Sequence, residues 1–175
     1  KKNKTEMKNL LYISTILLLI SSSCSKSQGC TDVDATNYDS QADESDNSCL
    51  YDLVGVWNMT SYQVNGVNAT SQIDTYRVTF YDDGSYYSEQ LLISLDNGNG
   101  GDWIDVWGIS DVNADQTTIT LQNQIVDYYN GNGQIADSEY GIYDITELDN
   151  NNITLEMTAT SAVGISSLIL SFTKQ

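Results

Sequence analysis

The chain has 175 residues, enough for one domain with short accessory segments. Its 24 acidic residues outnumber 7 basic ones, for a net charge of -17, a surface that repels phosphate backbones and excludes nucleic acid as a partner. It has no His and no Pro. Without His, the Ser-His-Asp and Cys-His nucleophile systems are out, and the commonest general base and metal ligand is missing.

The N-terminal stretch reads as a targeting segment. Lys1, Lys2, Lys4 and Lys8 precede an apolar run from Leu10 to Ile20, about the length of a signal-peptide core and short for a membrane span. A start at Met7 gives a compact signal sequence. The run ends in Ile20-Ser21-Ser22-Ser23-Cys24, which resembles a bacterial lipobox, with Ser21 where Leu is usual. That resemblance implies cleavage before Cys24, acylation of Cys24, and a lipid-anchored protein at the outer membrane or cell surface. Two or three acyl chains, each buried CH₂ contributing about 0.8 kcal/mol, hold a protein on a membrane. Residues 1–23 are then the signal peptide and 24–29 a lipidated tether.

With Cys24 assigned to lipid, Cys30 and Cys49 remain as an even pair in an oxidising compartment, which favours a disulfide. The closed loop contributes roughly 3 kcal/mol in the chain-entropy model. A thiolate metal site is the weaker reading, because two cysteines without His or a second pair do not make a zinc cage. Residues 30–51 form an acidic module. Asp32, Asp34, Asn37, Asp39, Asp43 and Asp46 place hard oxygen donors at short intervals, as calcium needs. As an EF-hand loop the segment fails: the sixth position from Asp32 is Asn37 rather than Gly, and the twelfth is Asp43 rather than Glu. The alternative is a solvated acidic turn capped by its own side chains. The run Gly29-Cys30-Thr31-Asp32 with Asn37-Tyr38, followed by Asp46-Asn47-Ser48-Cys49-Leu50-Tyr51, resembles a cysteine-flanked repeat of secreted and surface proteins of Bacteroidota. That resemblance implies a spacer or surface module.

From Asp52 onward the pattern is β, alternating apolar and polar residues between turn signals. Strands are expected over 54–64, 75–81, 86–95, 103–109, 117–123, 124–129, 135–146, 153–159 and 168–173. Asn65-Gly66 and Asp83-Gly84 mark hairpin turns. Tyr76, Val78 and Phe80 share one face, as do Ile153, Leu155 and Met157, and Leu168, Leu170 and Phe172. Eight or nine strands joined by short turns close as an up-and-down barrel or pair as a sandwich. Regular hairpin spacing favours the barrel, which also removes exposed edges.

Residues 52–175 resemble the lipocalin-like domain of Bacteroidota lipoproteins. The likeness rests on Leu53-Val54-Gly55-Val56-Trp57, on Thr60-Ser61-Tyr62 and Asn65-Gly66, on Val78-Thr79-Phe80 before Asp83-Gly84-Ser85-Tyr86, and on Leu170-Ser171-Phe172-Thr173-Lys174. It implies that Gly55 and Trp57 anchor the first strand, with Trp57 plugging one end of the barrel. In the wider lipocalin superfamily an arginine of the last strand covers that tryptophan. This chain offers only Lys174 and Arg77, and the sequence leaves open which one does so.

Two functions follow. Either the barrel binds a small apolar or amphipathic ligand, such as a lipid or pigment, in a lumen lined by Tyr76, Val78, Phe80, Leu155, Met157, Leu168, Leu170 and Phe172. Or it is filled, and the chain is a structural or surface-interaction lipoprotein. Neither reading makes it an enzyme. Asp102 and Asp105 around Trp103, with Trp107 nearby, is the one cluster resembling a sugar site, and the simpler expectation puts those tryptophans in the core at strand ends.

Overall fold

The computed structural model describes residues 26–92, 102–128, 133–136, 140–157 and 167–175. The signal segment, Cys24 and the start of the tether lie outside the described residues.

Two short strands, β1 (Gln28–Gly29) and β2 (Glu44–Ser45), pair in parallel within the acidic module. The module therefore reaches back to Ser27, whose carbonyl accepts the amides of Asp43 and Glu44, so Gln28 and Gly29 belong to it rather than to a free tether. Cys30 and Cys49 form the expected disulfide.

The remaining strands are β3 (Gly55–Val64), β4 (Val67–Asn68), β5 (Ile73–Phe80), β6 (Ser85–Leu92), β7 (Asp102–Val112), β8 (Thr118–Tyr128), β9 (Gly133–Ala136), β10 (Tyr140–Leu148), β11 (Asn152–Met157) and β12 (Leu168–Lys174). A 3-10 turn, Thr70–Gln72, links β4 to β5. Eight of these strands, β3, β5, β6, β7, β8, β10, β11 and β12, close an antiparallel up-and-down barrel, each bonded to its neighbour in sequence and β12 returning to β3. β4 is a small flap on β3, and β9 lies outside the closed barrel, paired to β8.

The sequence dictates most of this through alternation and turn chemistry. Asn65 and Gly66 both have positive φ (51° and 75°), as a tight hairpin between strands requires. Asp83 accepts from the amide and hydroxyl of Ser85, Asn113 from the amides of Thr117 and Thr118, and Asp149 from those of Asn151 and Asn152. Each turn thus satisfies its own backbone with a short acidic or amide side chain.

Two bulges explain where simple alternation fails. Met59 pairs with Phe172 and Ser61 with Ser171, leaving Thr60 as an extra residue, so the inward face passes from Trp57 and Met59 to Tyr62. Gln124 is likewise extra between Asn123, opposite Gly108, and Ile125, opposite Trp107. The runs expected separately at 117–123 and 124–129 are therefore one strand, β8, whose inward set switches at the bulge from Ile119 and Leu121 to Val126. The strand expected over 135–146 is instead two, β9 and β10, lying in line along one edge of β8. Of the expected third strand, 93–95 lie outside the described residues, as do the turn residues 130–132 and the last two residues of the strand expected to end at 159.

The core is one cluster inside the barrel. Trp57, Ile119 and Ile153 are fully buried, with Val78, Phe80, Tyr86, Val106, Val126, Leu155, Leu170 and Phe172 around them.

Candidate functional site

The lumen has two halves. The turns after β5, β7 and β10, the start of β3 and the end of β12 share one end of the barrel, and Trp57 closes it. Its indole N–H donates to the Leu53 carbonyl at 2.8 Å, so the backbone before the first strand folds beneath the ring. Lys174, opposite Trp57 in register, places Nζ 5.3 Å from the ring centroid and donates to the Asp52 carbonyl at 2.8 Å. The cation over the tryptophan is therefore Lys174; Arg77 pairs with Glu89 on the outer wall instead. Gly55 makes room for this. Its φ is +137°, and a Cβ there would stand 2.8 Å from Lys174 Cε. Gly-x-Trp and the final Lys are thus one device, a cation–π cover over the barrel floor.

Above Trp57 the lumen is packed. Phe80, Ile153, Leu155, Leu170 and Phe172 surround a void of only about 10 Å³, too little for more than one water. Tyr76 meets Phe172 edge to face at 5.4 Å. Tyr76, Val78 and Leu121 form a shelf, since they border both this void and a larger space above it.

That larger space is a cavity of about 280 Å³ in the other half of the barrel, near the lower end of the range for small-molecule pockets. Besides the shelf it is bordered by Tyr86, Ser88, Gln90, Val106, Asn123, Gly141, Tyr143 and Met157. The rings of Tyr86 and Tyr143 lie directly against Gly108 and Gly141, where any Cβ would collide with them. The Tyr86 hydroxyl donates to Asn123 Oδ1 at 2.6 Å, fixing both side chains at the wall. Among the described residues, no side chain bordering the cavity carries a charge at neutral pH. Burial holds the Tyr76 phenol well above its ordinary range and raises that of Tyr143, and the neighbouring tyrosines add to the effect. These groups stay neutral hydroxyls, able to donate and to accept.

Of the eight residues expected to line a ligand site, Tyr76, Val78 and Met157 border this cavity. Phe80, Leu155, Leu170 and Phe172 are corrected: they pack the closed half, because the strands on which they lie bring them level with Trp57 rather than with the cavity. Leu168 borders neither space and packs against the core from its edge. Ser88, Gln90 and Asn123 were not expected, since an inward polar residue reads in sequence as a break in the pattern. The one available signal was that each continues an inward apolar series on its own strand, Tyr86-x-Ser88-x-Gln90 and Ile119-x-Leu121-x-Asn123.

Four of the six side chains expected to bind calcium, Asp32, Asn37, Asp39 and Asp46, accept hydrogen bonds within the module itself. Asp32 accepts from the Asp34 amide, Asp39 from that of Gln41, and Asp46 from that of Ser48; Asn37 bridges Ser48 and Leu50. Asp34 and Asp43 take part through backbone amides. Among the described residues no three acidic or cysteine side chains gather into a group that could hold a metal ion. The Tyr51 hydroxyl donates to Asp32 at 2.6 Å, which lowers the Asp32 carboxyl below its ordinary value and pushes the Tyr51 phenol up to about 12. Tyr51 also docks the module on the barrel floor: its amide and carbonyl pair with both side-chain atoms of Gln116, each at 2.7 Å.

The tryptophans expected in the core at strand ends are not there. Trp103 and Trp107 alternate outward from Ile104 and Val106, and Trp103 is 39% exposed. Among the described residues no helix is long and apolar enough to cross a membrane. No family model matches the chain, and no curated protein matches it.

Proposed function

We propose that the chain is a membrane-anchored lipoprotein whose lipocalin-like barrel binds a small, uncharged amphipathic molecule in the upper half of its lumen. The observation that carries this reading is the cavity of about 280 Å³ standing on a packed apolar floor, walled by tyrosine rings and tipped with neutral hydroxyl and amide groups. A filled barrel has no use for Ser88, buried at the centre of a wall, nor for rings laid on glycines to leave space beside them. A charged ligand finds no counter-ion there among the described residues, and desolvating it costs too much without one. The ligand class is therefore narrower than lipid or pigment at large: it fits a few hundred Å³ and offers both an apolar body and hydrogen-bonding atoms. Binding rather than catalysis fits an inventory without His.

The anchor is supported by the sequence Leu19-Ile20-Ser21-Ser22-Ser23-Cys24 and by the exposed acidic module that follows it as a spacer. The second reading, a structural or surface-interaction lipoprotein, is favoured by the packing of the lower lumen. Native mass spectrometry of the full chain, purified from a bacterial membrane in mild detergent, separates the two. A small adduct retained by the wild type and lost in Ser88→Leu supports binding. A bare mass for both proteins supports the structural reading. Labelled palmitate should enter the chain and be absent from Cys24→Ala; equal labelling contradicts the anchor and leaves the lumen reading untouched.

A further inference from the structure

The outer wall of β5, β6, β7 and β8 carries a second pocket. Its volume is about 330 Å³, and Tyr87, Glu89, Trp103 and Asp105 line it. Register places these residues side by side: Tyr87 opposite Trp107, Glu89 opposite Asp105, and Leu91 opposite Trp103. The Tyr87 and Trp107 rings pack against each other at 5.3 Å, tilted by 35°, while Trp103 stands exposed beyond the Glu89–Asp105 row. The Tyr87 hydroxyl is shared by the two carboxylates, lying 3.4 Å from Glu89 and bonded to Asp105.

Three properties select a ligand class. First, the walls are aromatic faces, which attract cations through their quadrupoles and also stack on apolar rings. Second, the pocket carries excess negative charge. Arg77 is the chain's one arginine and pairs with Glu89, while Asp105 follows in the same cross-strand row with Asp127 opposite it. Like charges directly opposite on a sheet destabilise it, and Asp105 is only 7% exposed on a face that otherwise looks to solvent. The other basic side chains of the described residues sit elsewhere, Lys26 near Glu44 and Lys174 over Trp57. Third, a metal ion is unsuited, since no group of three donors able to hold one occurs among the described residues. A cation with an apolar shell gains from the rings and the charge together, whereas a neutral sugar gains from the rings and hydrogen bonds alone.

We propose that this outer pocket binds a small organic cation, a quaternary or alkylated ammonium group, between Trp103 and Tyr87 and over the Glu89–Asp105 pair. The strongly acidic surface of the whole chain would draw such a ligand in at low salt. The site is separate from the lumen: Tyr87 and Glu89 point outward, and the intervening Ser88 points into the cavity.

Isothermal titration calorimetry of the full chain with choline tests it. The control ligand is choline's neutral isostere, in which a quaternary carbon replaces the nitrogen. The proposal expects saturable binding of choline at one site, at least about tenfold weaker binding of the isostere, and weakening by salt. Trp103→Ala and Asp105→Asn should each abolish it, and Ser88→Leu should leave it intact. Trp103 is exposed, so its variant tests the pocket even if Asp105→Asn does not fold. Equal binding of the isostere, unchanged binding in Trp103→Ala, no binding of choline, or binding of a methyl glucoside in its place would each overturn the proposal.

Discussion

The two halves of the lumen share β5, β8 and β11 and differ in kind. Phe80, Ile153, Leu155, Leu170 and Phe172 fill the half beside Trp57, Tyr76, Val78 and Leu121 form the shelf, and Tyr86, Ser88, Gln90, Tyr143 and Met157 border the half beyond it. The floor half is dry, apolar and closed by Trp57, Lys174 and Gly55. The upper half holds a cavity with neutral polar groups. One half therefore carries stability and the other is free to carry a ligand, because polar residues in a half-open lumen cost little once the floor is packed. The disulfide-clipped module reinforces the division by docking on the floor end through Tyr51 and Gln116.

Mutations should break this contrast in a graded way. Trp57→Ala removes the fully buried plug and should cost about 3–5 kcal/mol in urea unfolding. A near-neutral result would mean that the floor does not anchor the barrel. Replacing Cys30 and Cys49 together by Ala should cost roughly 3 kcal/mol, read as a lower melting temperature. Gly55→Ala forces an L-residue into positive φ against Lys174 and should cost about 1–3 kcal/mol. Ser88→Leu belongs to the other half. It fills cavity rather than packed core, so stability should change by less than about 1 kcal/mol while ligand retention is lost. Should Ser88→Leu prove as costly as Trp57→Ala, the two halves are not distinct.

Solution pH sharpens the same contrast at the junction of module and floor, with the smallest expected effect. Tyr51 has its folded pKa raised to about 12 from an ordinary 10.0, so its contribution is complete below pH 10 and is lost as pH rises toward 12. Asp32 and Asp46 have folded pKa values below 3.8, so theirs is complete above that value and fades as pH falls through the lowered values. Melting temperature against pH should therefore be flat in between and decline at both extremes. Tyr51→Phe should remove the alkaline decline that this phenol contributes and weaken the acid one.

Much of this was legible in the sequence, for physical reasons. Turn residues such as Asn65-Gly66 and Asp83-Gly84 specify their own backbone, and alternation of apolar residues on β5, β11 and β12 specifies a face. Cysteine inventory left Cys30 and Cys49 as a pair. The bulges at Thr60 and Gln124 were not legible, because an extra residue shifts parity without leaving a mark in composition. Depth along the barrel was hidden too. Alternation says which side chains face inward but not at what height, so Phe80 and Phe172 were grouped with Tyr76 although they lie in the floor. Trp103 and Trp107 show the converse, since large apolar residues were expected inside and the β7 register turned them out. Lys174 over Trp57 was foreseen only as one of two cations; strand pairing was needed to choose.

A crystal structure of the full chain, purified from a bacterial membrane without added ligand, would show whether the upper lumen holds a molecule. Density for a small molecule is expected in the space bounded by Tyr76, Ser88, Gln90, Asn123 and Tyr143, with none beside Trp57. Side chains packed through that space, leaving room for no more than a few waters, would contradict it.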